Sequence, residues 1–273
     1  MGNIVALYAD AVRRSPRRYA PGTIHAKLRE ARWWVELVGD PWSATVHDVE
    51  RAVSDRRLSA SGSRDVVTHV RAFYRWAIRN GHTATDPTAT VDLAPVPRRL
   101  PRPARDVAIG VAIGAASPAV CAMLALMAGA GLRCVEVSRL RWCDVDLIGG
   151  VIHVTGKGNR ERVLEIAAPV RRALAAIDAD TVHVFTSPTS GAPYRACRVS
   201  QIVNRHLSGC AAGCTAHQLR HRFATAALAA SGGDLSIVRD LLGHSTVAVT
   251  EIYAAVTPGV AGRVARSVPV PGL

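Results

Sequence analysis

The sequence predicts a mainly α-helical protein with a small antiparallel β-sheet, an α+β fold, divided into two domains. Three features of its 273 residues lead to this prediction. Apolar residues recur every three or four positions through residues 1–80, and short strand-like segments flank a glycine-rich turn near residue 157. Prolines interrupt residues 83–105 between these regions. A chain of this length has room for two domains with buried cores.

Four helices are predicted before the proline-rich segment. Each has apolar residues at three- and four-residue spacing, which places these residues on one face. The last helix stops at Asn80-Gly81, a pattern typical of a helix C-terminus. The predicted ranges are 3–14, 23–38, 45–57 and 63–80. Together they predict a small helical bundle over residues 1–82.

Residues 83–105 are predicted to form an extended, basic linker. Proline removes a backbone donor and disfavours helix in the residue before it. The residues responsible are Pro87, Pro95, Pro97, Pro101 and Pro103, with Arg98, Arg99, Arg102 and Arg105 adding positive charge. A basic linker between two basic domains is what a clamp around a polyanion would need.

The second domain is predicted over residues 106–273, with a proline- and glycine-rich tail at 255–273. It opens with two buried helices, and a short helix begins at Arg133 after Gly131 breaks the pattern. Three strands follow, and Gly156-Lys157-Gly158-Asn159 forms the turn into the third. From residue 168 onward, helices and loops alternate. The predicted helices are 106–116 and 119–130, and the predicted strands are 142–147, 151–155 and 162–166.

The charge balance indicates a polyanionic partner. The chain has 34 Lys+Arg against 21 Asp+Glu, a formal net charge of +13, and both halves are basic. Nucleic acid gripped from two sides fits this pattern, and a solvated basic surface is the alternative. Lys27 and Lys157 are the only lysines. The pKa of a lysine ammonium group can be lowered toward neutral pH, whereas a guanidinium group stays charged. Lys157 is therefore a candidate proton donor.

Cysteine usage and the apolar segments indicate a cytoplasmic setting. The six cysteines include no Cys-x-x-Cys pair, and the N-terminus lacks a secretory pattern. The longest apolar stretch, residues 119–132, is too short to span a bilayer. We expect a cytoplasmic, nucleoid-associated protein with no membrane partner and with free thiols in its core.

Six polar residues of the second domain form the candidate site. They provide two guanidinium groups, one ammonium, two imidazoles and one phenol, without an acidic cluster beside them. Such a set is a poor metal site and a good clamp for a phosphodiester attacked by a phenol. His217, Arg220 and His221 share one face of a predicted helix because they are three and four residues apart. The six are Arg133, Lys157, His217, Arg220, His244 and Tyr253.

A zinc site is a competing interpretation of one nearby stretch. It contains zinc-type ligands at close spacing: His206, Cys210, Cys214 and His217. Glycines at 209 and 213 disfavour one helix presenting all four on the same side. Small buried cysteines flanking a loop are therefore the expected arrangement, and no metal site is predicted.

The six candidate residues and their neighbours, taken in order along the chain, resemble the motifs of the tyrosine recombinase (phage integrase) family in its simple two-domain form. The N-terminal half is also similar to the family's SAM-like core-binding domain, through Arg71-Ala72-Phe73-Tyr74 and Asp86-Pro87. The resemblance covers about residues 1–260. The motifs of the catalytic domain are Gly131-Leu132-Arg133 with Glu136 and Leu140, Gly156-Lys157-Gly158, His217-Gln218-Leu219-Arg220-His221, Leu242-Gly243-His244-Ser245 and Tyr253.

The resemblance implies strand exchange through a covalent 3′-phosphotyrosine, without metal or other cofactor. Tyr253 would be the nucleophile, and Arg133 and Arg220 would hold the non-bridging oxygens of the scissile phosphate. Lys157 would protonate the departing 5′ oxygen. His217 would transfer a proton at the tyrosine oxygen, and His244 would donate a hydrogen bond to a phosphate oxygen. Glu136 and His221 would be supporting residues.

The resemblance also implies that the partner is double-stranded DNA. It implies a homotetramer on two DNA sites, coupled by exchange of the C-terminal tail, and an accessory directionality factor. Phage or mobile-element integrase is the expected subtype, and chromosome-dimer resolvase is the alternative. A topoisomerase and a non-cleaving DNA-binding regulator remain open as rivals. The candidate DNA contacts are Lys27, Arg64, Arg71, Arg160 and Arg198.

Overall fold

The computed structural model describes residues 2–93, 95, 102–156, 161–210, 212–243 and 250. The chain divides into two compact units, Met1–Arg98 (unit 1) and Arg99–Leu273 (unit 2). This boundary lies inside the segment 83–105 that the prolines mark in the sequence.

Unit 1 is a helical bundle. Among its described residues it contains α1 (Gly2–Arg13), α2 (Pro21–Val38), α3 (Val46–Asp55) and α4 (Ala60–Arg79). Helix α3 begins with a capping box, in which Thr45 and Asp48 satisfy each other's backbone N–H groups. Trp34 and Tyr74 are buried in the core, where the indole N–H donates to the tyrosine oxygen at 2.8 Å. Apolar periodicity alone predicted these helices because each buries a single face.

The first part of the predicted linker packs on unit 1. Thr88 is fully buried, and the Asp86 carboxylate accepts hydrogen bonds from its N–H and its hydroxyl. Arg71 of α4 donates to the Thr88 hydroxyl at 3.1 Å and also to the Thr88 carbonyl oxygen. Val91 and Leu93 lie against the helical core. The chain therefore stays packed on the bundle beyond the end of α4, as far as Leu93.

Unit 2 packs other helices around a buried helix, α6, and also contains a small sheet. Helix α6 buries Met123, Leu124, Leu126 and Met127, and it contacts α8 and α10. Its first helices are α5 (Asp106–Gly114), α6 (Pro118–Gly129) and α7 (Cys134–Arg139). The later helices are α8 (Ala168–Ala175), α9 (Ala196–Gly209), α10 (Ala216–Ala230) and α11 (Leu235–Leu242).

In the described part of unit 2, three strands form an antiparallel sheet in the order β1-β2-β3. They are β1 (Val145–Asp146), β2 (Val151–Thr155) and β3 (Glu161–Glu165). The first strand is shorter than predicted, because Trp142–Asp144 forms a 3₁₀ turn. Asp144 accepts from the Arg141 backbone and side chain, which stabilises that turn. The mainly helical α+β fold is confirmed.

The expectation of cysteines in the core is wrong for Cys143 and Cys197, whereas the other four pack against the core of unit 2. All six thiols are free, but Cys143 and Cys197 are exposed and the other four are only half-buried. Cys143 lies in the 3₁₀ turn and Cys197 in the first turn of α9, where solvent reaches one side. Among the described helices, none has the length and apolar character that crossing a bilayer requires.

Candidate active site

Arg133 is positioned by a turn that only glycine fits well. Gly131 has a φ of +67°, and an added Cβ would lie 2.8 Å from Cε1 of Phe223 on α10. Arg133 follows at the N-cap of α7, with its side chain about one-third exposed. The Gly131 carbonyl oxygen accepts a hydrogen bond from the Arg220 guanidinium. The Gly131-Leu132-Arg133 motif therefore joins two of the predicted site residues.

Glu136 lies at the centre of an arginine cluster. Its side chain is 1% exposed and accepts from the Arg133 backbone N–H at 2.8 Å and from Arg133 Nη1 at 2.9 Å. Arg162 of β3 binds both carboxylate oxygens, at 3.0 and 3.1 Å. Arg220 Nη1 lies 3.7 Å from the same carboxylate. We call Arg133, Glu136, Arg162 and Arg220 the arginine cluster.

The C-terminus of α11 lies on the arginine cluster. Arg220 Nη2 donates to the Leu242 carbonyl oxygen at 2.7 Å, and Arg133 Nη1 donates to the same oxygen at 3.2 Å. Arg162 Nε donates to the Leu241 carbonyl oxygen at 3.0 Å. Carbonyl groups at a helix end carry partial negative charge and lack partners within the helix, so cations stabilise them.

The charge of the cluster favours binding of an anion. Within the described residues, three guanidinium groups surround one carboxylate, which gives these side chains a formal net charge of +2. Burial opposes ionisation of Glu136, but hydrogen bonds from Arg162 and the Arg133 backbone outweigh it and lower the Glu136 pKa. Glu136 therefore stays ionised and orients the arginines, and a phosphodiester would complement the remaining positive charge.

His217 and His221 form a pair on α10. Their rings meet edge to face with centroids 4.2 Å apart. Burial, followed by the charges of Arg220 and Arg133, lowers the pKa of His217. Burial, His217 and Arg220 lower the pKa of His221 to about 4. Both imidazoles are therefore neutral near pH 7, and a neutral His217 is able to accept a proton.

Contacts along its first two turns fix the helix that carries these residues. Thr215 and Gln218 form a capping box at its start, and Ala104 donates its backbone N–H to the Gln218 carbonyl oxygen at 3.1 Å. Arg222 binds both carboxylate oxygens of Asp106, at 2.7 and 3.1 Å. The Asp106 bridge was not apparent from the sequence, because 116 positions separate the partners.

Half of the six candidate residues can be placed. Arg133, His217 and Arg220 lie in the described part of unit 2, and the structure brings them together with Glu136 and His221. Lys157, His244 and Tyr253, together with Arg160 and the tail 255–273, lie outside the described residues.

The candidate DNA contacts have different surroundings. Arg64 and Arg198 are exposed, whereas Lys27 is half-buried with Nζ 5.0 Å from the centre of the Tyr19 ring. Lys27 and Arg71 line a groove of about 660 Å³ in unit 1, although Arg71 also holds Thr88. The basic residues lining this groove are Arg17, Lys27, Arg71, Arg75 and Arg79.

The zinc interpretation receives no support from the described ranges. In them, no group of three or more His, Cys, Asp or Glu side chains is arranged to hold a metal ion. His206 donates from Nε2 to the Ala112 carbonyl oxygen at 2.7 Å, and Cys210 Sγ lies 3.7 Å from the same nitrogen. His206 thereby connects the last turn of α9 to α5.

Sequence reasoning missed Arg162, although a signal for it exists. Side chains alternate between the faces of β3, so Arg162 shares a face with the buried Leu164. An arginine at an inward-facing strand position needs a buried acceptor. That requirement would have directed attention to Glu136, the acidic residue of the neighbouring Arg133 motif.

Comparison with known sequences identifies the family. Residues 114–259 match the phage integrase family. Tyrosine recombinase XerC from Xanthomonas campestris pv. campestris (strain B100) is 34% identical over 224 residues, covering 77% of this chain and 69% of that protein. Tyrosine recombinase XerC from Methylobacterium sp. (strain 4-46) is 31% identical over 277 residues, covering 88% and 85%.

Solved structures share the fold at lower identity. A lambda integrase dimer bound to a COC′ core site has a TM-score of 0.75 and 17% identity, covering 93% of this chain and 94% of that one. The Tn1549 transposon integrase in complex with circular intermediate DNA has a TM-score of 0.65 and 20% identity, covering 92% and 94%. By its family match and its XerC relatives, this chain belongs to the phage integrase family and is a tyrosine recombinase.

Proposed function

We propose that this chain cleaves and rejoins double-stranded DNA at specific sites through a covalent 3′-phosphotyrosine on Tyr253. The observation that carries the proposal is the arginine cluster, where three guanidinium groups converge beside the helix end that precedes His244. Guanidinium matches the geometry of phosphate oxygens and remains charged at all relevant pH values. The basic groove of unit 1 supports a second DNA contact surface.

In the proposed reaction, the Tyr253 oxygen attacks the scissile phosphorus and the 5′ oxygen leaves. Arg133 and Arg220 hold the non-bridging oxygens, and this contact strengthens as charge builds in the five-coordinate transition state. His217, which is neutral near pH 7, takes the phenol proton, and Lys157 protonates the leaving oxygen. His244 donates a hydrogen bond to a phosphate oxygen. The free 5′ hydroxyl of the exchanged strand then attacks the phosphotyrosine, which rejoins the DNA and releases Tyr253.

The family name does not distinguish integrase from resolvase activity. We infer that chromosome-dimer resolution fits this chain at least as well as phage or mobile-element integration, because its curated relatives above are XerC recombinases. In either case the active form is proposed to be a cytoplasmic homotetramer on two DNA sites, joined through residues 255–273 and served by an accessory directionality factor.

Covalent capture on genomic DNA of the encoding organism tests this function. The purified full-length chain is incubated with sheared DNA in EDTA and denatured, and the protein-linked fragments are sequenced. Wild type should link to a defined site through Tyr253, and Tyr253→Phe should bind DNA without linking. Linkage by Tyr253→Phe, or an absolute need for divalent metal, would contradict the mechanism. Absence of linkage by wild type would favour a non-cleaving regulator.

The captured sequence also separates the subtypes. A single chromosomal site present in strains without prophages would support dimer resolution, and a site at the border of a mobile element would support integration. Two captured sites placed on one plasmid distinguish recombination from topoisomerase activity. Recombinant junctions are expected, whereas relaxation of supercoils without junctions would identify a topoisomerase.

A further inference from the structure

Arg162 has no role in the reaction described above, yet it contacts two parts of the site at once. Its Nη1 and Nη2 bind the two oxygens of Glu136, and its Nε donates to the Leu241 carbonyl oxygen. Three N–H groups of one planar guanidinium are therefore used in a single geometry. Its side chain is 11% exposed, against 32% for Arg133.

The burial of Arg162 argues against a direct contact with DNA. Its guanidinium faces Glu136, and the backbone at the end of α11 covers it closely. An added Cβ on Gly243 would lie 2.9 Å from Arg162 Nη1, so the glycine C-cap leaves the space that this guanidinium occupies. The helix end and the arginine therefore fit each other, and β3 is joined to α11 at this point.

We propose that Arg162 is a positioning residue that acts through Glu136, holding the carboxylate and the end of α11 so that Arg133 and Arg220 face the phosphate. The proposal rests on the function proposed above. With Arg162 bound to both oxygens, Glu136 stays 3.7 Å from Arg220 Nη1 and makes a closer contact with Arg133. Without Arg162, the buried carboxylate would draw Arg220 toward itself and away from the substrate.

Arg162→Met tests this role in the full-length chain, with Arg141→Met as its matched control. Arg141 also binds both oxygens of a carboxylate in unit 2, that of Asp144, but it contacts none of the arginine cluster. The rate of adduct formation is measured on a nicked copy of the captured site at saturating DNA. Displacement of the phosphate clamp should slow Arg162→Met by about 10- to 100-fold. The half-saturating DNA concentration should change by less than about threefold.

Two further variants keep the test decisive. Arg162→Lys retains the charge but not the fork, and it should be at least about tenfold slower, so it replaces Arg162→Met should that variant not fold. The double variant Glu136→Gln/Arg162→Met should lose much less than the product of the two single losses, because both changes act on one contact.

Three results would overturn the role of Arg162. They are a wild-type rate for Arg162→Lys, equal rates for Arg162→Met and Arg141→Met, and losses that multiply in the double variant. Wild-type protein assayed in parallel separates the two proposals. Normal wild-type adduct formation with unaffected Arg162 variants overturns only this inference, whereas no wild-type adduct overturns the proposed function as well.

Discussion

The two units each bury a glutamate among arginines, and the difference between these clusters separates a structural ion pair from the proposed phosphate-binding site. Glu30 in unit 1 is 1% exposed and is bound by Arg29 and Arg56, whose side chains are 61% and 31% exposed. Water solvates these guanidinium groups, and Arg56 also stacks over the Trp33 ring at 4.2 Å. This cluster is complete without a ligand.

Glu136 in unit 2 is equally buried, but its partners are not solvated to the same degree. Arg162 and Arg220 are 11% and 4% exposed, and Arg133 is 32% exposed. Holding several buried cations near one carboxylate is costly unless further anionic groups are present. The carbonyl oxygens of α11 supply part of that negative charge, and a phosphodiester would supply more. Buried positive charge in excess of acidic partners is therefore the feature that supports the proposed phosphate-binding role of the arginine cluster.

The largest expected difference between the clusters comes from Arg→Lys substitution. Arg220→Lys should slow adduct formation by about 10²- to 10³-fold, because a point charge cannot reproduce bidentate contact with the developing charge. Arg56→Lys removes an equivalent guanidinium from unit 1 and should leave this rate within about twofold of wild type. Both rates are measured at saturating DNA. Similar losses in the two variants would show that the clusters do not differ in function.

Neutralising each carboxylate gives the next largest effect. Glu136→Gln leaves buried arginines without their anion, and it should destabilise unit 2 by about 3–5 kcal/mol and slow cleavage. Glu30→Gln should destabilise unit 1 by only about 1–3 kcal/mol, since its arginines are better solvated. Urea unfolding of the full chain measures both changes, and amide hydrogen exchange locates each in α7 or α2. A larger loss of unfolding free energy for Glu30→Gln than for Glu136→Gln would contradict the view that the unit 1 arginines are the better solvated.

Whether the sequence predicted a contact in these clusters depends on how far apart its two residues lie along the chain. The helices of unit 1 were predictable because apolar spacing is a local property of the chain. Arg133 and Glu136 were predictable as a pair because they lie three residues apart in one turn of helix. Arg162 was missed because its contact with Glu136 depends on strand β3 packing beside α7, 26 positions away.

Contacts with the backbone were the hardest to foresee. Arg220 was predicted as a phosphate ligand, but its bonds to the carbonyl oxygens of Gly131 and Leu242 require a tertiary arrangement that no motif specifies. Arg71 was predicted as a DNA contact, and its bonds to Thr88 show that it also fixes the chain after α4. Its role at DNA stays a prediction.

The smallest expected effect concerns the histidines near each cluster. Burial, His217 and Arg220 lower the pKa of His221 from about 6.5 to about 4, so the folded protein holds this ring neutral. The unfolded chain binds a proton as pH falls below about 6.5, whereas the folded chain does so only near 4. The stability that His221 contributes is therefore fully present above about pH 6.5 and is lost as pH falls toward 4.

His221→Gln should consequently flatten the dependence of unfolding free energy on pH between about 4 and 6.5, in urea unfolding followed by circular dichroism. The change in slope should stay below the roughly 1.4 kcal/mol per pH unit set by one proton, because His221 is partly solvated. His69→Gln is the matched control in unit 1. Burial and Lys27 lower the pKa of His69 too, but the charges of Glu30 and Asp65 oppose this shift. An equal or larger flattening in His69→Gln would mean that the excess positive charge at the arginine cluster does not act on its neighbouring histidine.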